Sequence, residues 1–168
     1  MKHRLFTAAL LALLLQGGYM SGFVGAAQAA SPVPTRPALP SEACNKNEDG
    51  FATFLEAFAS DPTVRAAYSA PHVAERDLRN PSKSVNRPNE PFRLAVIDSR
   101  WSYDEPGKDV SALARVKLDI KPVAEGMRAD IVKARFSPDD NVVKPFGAPE
   151  AYVFEYVQQC WQLTQHLR

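Results

Sequence analysis

The sequence predicts an α+β domain in which N-terminal helices pack on a curved antiparallel sheet, and three patterns predict it. Phe51, Phe54, Leu55 and Phe58 recur at helical spacing, a stripe of large side chains on one face. Val110, Ala114, Val116, Leu118 and Ile120 face one way, while Ser111, Arg115, Lys117, Asp119 and Lys121 face the other, as in a half-buried strand. At the end of the chain, Tyr152, Phe154 and Tyr156 alternate along one run and Trp161, Leu163 and Leu167 along the next. Folding around Gln158 and Gln159 pairs Tyr156 with Trp161 and Phe154 with Leu163, so the large side chains meet on one buried face. Glutamine does not suit the positive φ of a tight primed turn, so a four-residue loop in the same register competes with a two-residue one.

Residues 1–29 have the parts of a secretory signal: Lys2, His3 and Arg4, an apolar run from Leu5 to Leu15, and small residues around Ala27 and Ala29. Cleavage is expected after Ala29 or Ala30. The apolar run is about half the length of a bilayer crossing, and an uncleaved anchor through Phe23 and Val24 is the competing reading. The membrane is then met only through the signal during export, and no cysteine precedes Cys44 to carry a lipid. Residues 30–43 hold Pro32, Pro34, Pro37 and Pro40 and read as an extended linker, leaving residues 44–168 as a single domain.

Lys and Arg number 20 against 19 Asp and Glu, and losing Lys2 and Arg4 with the signal leaves 18 against 19. That balance argues against a nucleic-acid protein. Cys44 and Cys160 are the two cysteines, and in an exported chain they are expected to form a disulfide that clips the start of the domain to its last hairpin. A loop of that length gives about 4–5 kcal/mol in the chain-entropy model, an upper figure. With no Cys-x-x-Cys and no histidine nearby in sequence, neither thiol reads as catalytic.

Asp61 and Pro62 start a second helix that runs through Val64 and Tyr68 and stops before Pro71. Arg76 to Pro91 carries three prolines, three asparagines and no apolar period, and reads as a long surface loop. Its cations Arg76, Arg79, Lys83 and Arg87 are diluted by Glu75, Asp77 and Glu90, which favours a solvated charged loop over an anion site. Phe92, Leu94 and Val96 form a strand leading to Trp101 and Tyr103, ended by turn residues Asp104 to Gly107. After the Val110 to Lys121 strand and a connection at Glu125 and Gly126, Met127 to Phe136 forms another whose apolar face switches between Ile131 and Ala134. That switch predicts a bulge, with a helix through Met127, Ile131 and Ala134 as the alternative. Ser137 to Pro149 is turn-rich.

This order resembles the nuclear transport factor 2-like superfamily, and most of all its uncharacterised exported bacterial members. The residues that carry the likeness are the phenylalanine helix Phe51 to Phe58 running into Asp61 and Pro62, the meandering strands, and the closing tyrosine and phenylalanine strand turning into Cys160, Trp161, Gln162 and Leu163. The resemblance implies a cystatin-like roll around a cone-shaped cavity, and domains that often form homodimers through the sheet. It also implies that an enzyme of this kind would use a carboxylate base or a tyrosine and acid pair inside the cone. By strand position Asp98, Asp104 and Tyr103 are the candidates for that role, with Asp130 and Tyr152 as outsiders, and Asp98, Trp101 and Tyr103 are the possible cavity residues. The plainer roles are preferred: strand ends or turns for Asp98 and Asp104, packing for Tyr103 and Trp101, and surface positions for His72 and His166. Fold alone does not settle function.

The sharpest local motif is calcium-like. Asn45, Asn47, Asp49, Gly50, Phe51, Thr53 and Glu56 fall on the ligand and glycine spacings of an EF-hand loop. Asn45 stands where aspartate is usual, Ala52 where a branched apolar residue is usual, and a proline-rich stretch replaces the entering helix. The competing reading makes Asp49 a helix cap, Gly50 the first helical residue and Glu56 a solvent-facing side chain, and it is preferred. The expectation is thus a periplasmic or secreted non-catalytic module without cofactor, binding a periplasmic protein partner. A small-ligand carrier or enzyme using the cone is the second reading.

Overall fold

A computed structural model describes residues 36–168; the signal segment, its cleavage point and the first part of the proline-rich stretch lie outside the described residues. Two helices, α1 (Glu48–Ser60) and α2 (Pro62–Ala67), pack on a curled seven-stranded sheet. The strands are β1 (Ser69–Arg76), β2 (Leu94–Ile97), β3 (Arg100–Tyr103), β4 (Ala114–Val123), β5 (Gly126–Phe136), β6 (Val142–Val157) and β7 (Cys160–Leu167). Their spatial order is β1-β7-β6-β5-β4-β3-β2, antiparallel throughout except for the β1–β7 pair. The expected α+β class is what is found.

Helix α1 begins earlier than expected. Asn47, not Asp49, is its cap: the Asn47 side-chain oxygen accepts from Gly50 N at 2.7 Å. Glu48 and Asp49 then sit in the first turn, where carboxylates suit the positive helix end. Phe51, Phe54, Leu55 and Phe58 are all fully buried, as the stripe predicts. Asp61 caps α2 by accepting from Thr63 N at 2.7 Å, and Pro62 opens it. The stretch before Cys44 is not a free linker from Arg36 on, because Arg36 lies over the Tyr68 ring, Leu39 packs on the core and Ala43 is buried.

Strand β1 was not foreseen. Pro71 and His72 break its alternation, and an edge position tolerates both. The Phe92 to Tyr103 run is a hairpin rather than one strand: Asp98 and Ser99 turn it with φ of 47° and 59°, the primed geometry. Val110 to Ala112 is a 3-10 turn, not the start of a strand, since β3 runs out opposite Ala114 and nothing pairs earlier residues. Strand β5 is a strand and not a helix, and its register does shift between Ile131 and Lys133. The extra residues are on β6, where Gly147 takes φ +78°, a conformation that suits glycine. Only Ser137 to Asn141 of the turn-rich stretch is turn; Val142 to Pro149 is the exposed first half of β6, paired to β5 alone.

The closing hairpin has the expected pairs, Tyr156 with Trp161 and Phe154 with Leu163, joined by a two-residue turn. Gln158 and Gln159 adopt φ of 50° and 65°. Tertiary ties hold them there: the Cys44–Cys160 disulfide, Arg36 donating to the Gln158 side chain, and the Tyr156 hydroxyl lying 2.7 Å from Cys44 O and 3.1 Å from Gln159 O. Thr164 is an extra residue in β7, since Phe154 pairs with Leu163 and Val153 with Gln165. This bulge turns Leu167 away from the Trp161 face, onto Ala151, Val153 and Leu78, and puts His166 opposite Tyr152.

The face of the sheet under α1 is filled with rings. Phe51, Phe54 and Phe58 each lie within 6 Å of Phe154, Phe92 stands 4.9 Å from Phe58 and 4.6 Å from Tyr152, and Trp161 is 5.2 Å from Phe51. These edge-on and tilted arrangements add to the burial that holds the helix to the sheet. Among the described residues no helix is long and apolar enough to cross a membrane.

Candidate functional site

At the opposite end of the β6–β7 pair from the disulfide, the rings give way to buried charge. His166 is 1% exposed and stacks on Tyr152, ring centroids 4.7 Å apart and 16° from parallel. Its Nε2 lies 3.0 Å from Glu150 Oε2 and its Nδ1 3.4 Å from Glu75 Oε1. Both ring nitrogens thus face carboxylates. Tyr103 donates to the other Glu150 oxygen at 2.7 Å. Arg168 Nε donates to Glu75 at 2.8 Å, and its two other nitrogens reach Glu90 and the Pro88 carbonyl. The Tyr152 hydroxyl accepts from Arg93 N at 3.0 Å.

The electrostatics follow from these contacts. Burial works against the Glu150 charge, but hydrogen bonds from His166 and Tyr103 and the nearby His166 and Arg168 charges outweigh it and hold the carboxyl below its usual range. Burial first, then the bond to Glu150, pushes the Tyr103 hydroxyl well above its ordinary value; Tyr152 is raised by burial and by the same carboxylate. Both phenols stay neutral. Arg168 loses some ground to burial and more than recovers it from Glu75 and Glu90.

The cluster borders a cleft of about 310 Å³ lined by Arg65, Ser69, Phe92, Tyr152, Leu163 and His166. Both His166 nitrogens are spoken for, and Arg65 is spent on the Phe58 and Ala59 carbonyls at the end of α1. What faces the cleft is mostly ring and aliphatic surface, with Glu90 at its border, around a hydrogen-bonded polar network.

Of the residues singled out in sequence, Tyr103 and Tyr152 both join this cluster. Asp98 is instead exposed at the tip of the β2–β3 turn, and Trp101 is half-buried opposite Val96. Asp104 follows β3 with its N–H bonded to Arg93 O, and Asp130 pairs with Lys121 and Arg128, each at 2.6 Å. His72 is exposed as expected, whereas His166 is not the surface histidine it was read as. Glu75, Glu150 and Arg168 were not foreseen either: Glu75 lies in the unforeseen β1, and Glu150 lies at the bulge. The calcium-like residues are mostly helical. Asp49, Phe51 and Glu56 lie in α1, Phe51 in its buried face, while Asn47 is the cap and Thr53 donates to Asp49 O. Among the described residues no three His, Cys, Asp or Glu side chains gather as ion ligands.

The Arg76 to Pro91 loop leaves from this cluster and returns to it. Asp77 N donates to Lys83 O, Val85 N to Glu75 O, and Lys83 N to Asn80 O, all within 3.1 Å. The Asp77 carboxylate accepts from Asn80 N and Arg79 N, bonds that hold it below its usual range. Arg76 bonds Ser84, and Arg168 holds Pro88 O at 2.7 Å. Residues Arg79 to Ser84 and Asn86 to Pro91 are nevertheless exposed. Compared with protein-family models, curated proteins and solved structures, the chain matches none.

Proposed function

We propose that this chain is an exported accessory module, periplasmic or secreted, that binds a protein partner through the Arg76 to Pro91 loop and catalyses no reaction. The observation that carries the reading is the loop itself. A stretch contributing little to the core is pinned at Asp77, Lys83, Ser84, Val85 and Pro88 while residues 79–84 and 86–91 are exposed. A preorganised exposed loop loses little conformational freedom on binding, which is where association otherwise loses affinity.

Other features support the same reading. The rings of Phe54, Phe58, Phe92 and Phe154 pack against one another between α1 and the sheet, which supports a filled interior over an open ligand cone. The Cys44–Cys160 bond suits an oxidising compartment. The sequence of two helices, meander and aromatic closing hairpin is the order on which the nuclear transport factor 2-like, cystatin-like assignment rests, and that assignment is part of the proposal. The test is affinity capture from periplasmic extract of the native host, with wild type beside a variant whose residues 79–87 are replaced by a glycine and serine linker. A protein retained by wild type and lost by the variant is expected. Failure of wild type to retain any specific protein would remove the reading.

A further inference from the structure

The charges of the loop are sorted by direction. Its flanking carboxylates are paired: buried Glu75 with Arg168 and His166, and the exposed Glu90 with Arg168, with Arg93 at 4.0 Å. Asp77 is occupied by the two backbone N–H groups it caps. Arg79, Lys83 and Arg87 are exposed, and among the described residues none has a carboxylate within 4.0 Å. In sequence the acids dilute the cations; in the folded chain Glu75 is buried and Glu90 is paired with Arg168, so the exposed part of the loop keeps three cations against the Asp77 carboxylate and stays net positive.

We propose that this face, carrying Arg79, Lys83 and Arg87, is a docking surface for an acidic segment of a protein partner; the proposal rests on the partner-binding reading above. Electrostatic complementarity of this sort steers encounter and sets specificity. The patch is one loop wide on a chain whose formal net charge is +1, and −1 once the expected signal with Lys2 and Arg4 is removed, which suits a short acidic segment better than an extended polyanion. Asn80 and Asn86, exposed between the cations, and Asn89 just beyond Arg87 offer the amide donors and acceptors that peptide groups require.

The test is an NMR titration of the mature, disulfide-bonded protein with a synthetic oligoglutamate peptide, and separately with anionic lipid vesicles. Amide shifts confined to residues 79–87, weakening as salt is raised, are expected. The triple variant Arg79→Glu, Lys83→Glu, Arg87→Glu is expected to lose about tenfold or more in peptide affinity. Lys117→Glu with Lys121→Glu, exposed cations on β4, is the control expected to bind as wild type does. All five sites are exposed, and Lys83→Glu alone serves as a milder second variant. Equal binding by the triple variant, shifts spread over β4, or binding to vesicles without binding to the peptide would each overturn the proposal. If the partner captured from extract is retained equally by the triple variant, the partner reading stands and the acidic docking surface falls.

Discussion

The two ends of the β6–β7 pair are equally buried and held by different physics. At the turn end, Trp161 is 2% exposed and sits among Phe51, Tyr156 and the disulfide; at the other, His166 is 1% exposed between two carboxylates and a tyrosine ring. Apolar packing is non-directional and graded, so neighbours can shift by tenths of an ångström at little cost. A buried charge cluster is directional: with every partner present it fixes one geometry, and with one partner missing it leaves charges stranded. The ring end fastens α1 to the sheet, and the charged end fastens the chain terminus and the long loop.

The largest effects should separate these two mechanisms. Phe54→Ala is expected to cost about 3–5 kcal/mol by leaving a cavity against Phe58, Tyr68 and Phe154, read as a lowered midpoint in denaturant unfolding. Glu75→Ala is expected to cost about 3–5 kcal/mol as well, because it strands His166 and Arg168. The signatures should differ. Hydrogen exchange in Phe54→Ala should rise throughout the core, whereas in Glu75→Ala it should rise first at residues 77–92 and 166–168. A Glu75→Ala protein within about 0.5 kcal/mol of wild type, as for an ordinary surface change, would reduce the cluster to decoration.

Acid should weaken the charged end selectively. Glu150 is held below its ordinary value in the folded protein, so its contribution is fully present above the unfolded carboxyl value of 4.5 and is lost as pH falls through the lower folded one. The half-buried carboxylates Asp61, Asp77 and Glu105, the last held at about 2 by Lys108 and Lys133, add a similar acid slope whether His166 is changed or not. The difference between wild type and His166→Gln therefore isolates the cluster. The expected result is a shallower loss of stability on acidification in His166→Gln; superimposable acid slopes would show that His166 does not support the Glu150 charge.

The same contrast explains what the sequence let one read. Burial of Phe51, Phe54, Leu55 and Phe58, the cap at Asp61, the pairing of Cys44 with Cys160 and the register of Tyr156 with Trp161 all follow from periodicity or elimination, which survive small errors in geometry. The cluster depends on a single inserted residue. Strict alternation from Trp161 assigns Leu167 to the ring face and His166 to water, and the bulge at Thr164 exchanges them. Thr164 has no signature that marks a bulge. Glu75 was hidden in a strand interrupted by proline, and Tyr103 and Tyr152 were visible as residues but not as neighbours. Polar partners drawn from four strands and the chain end have no periodicity to betray them.

The smallest expected effect lies within β6 itself. Its second half, Ala151 to Val157, is paired on both sides, while Val142 to Glu150 meets only β5 and shows Val142, Val143 and Phe146 to solvent at 40%, 66% and 42%. Pro145 and Pro149 have no N–H to offer an incoming strand, and edges carrying proline resist further pairing. Val143→Asp is therefore expected to change stability by no more than about 0.5 kcal/mol, since an exposed side chain on a one-sided ribbon has little burial to lose. Unfolding measured beside size-exclusion chromatography makes the substitution decisive. A small change in stability with unchanged elution fits a ribbon that only extends the sheet; earlier elution of wild type than of Val143→Asp would place a homodimer contact on this half of β6, and a loss of several kcal/mol would mean that the ribbon packs on a surface of its own chain.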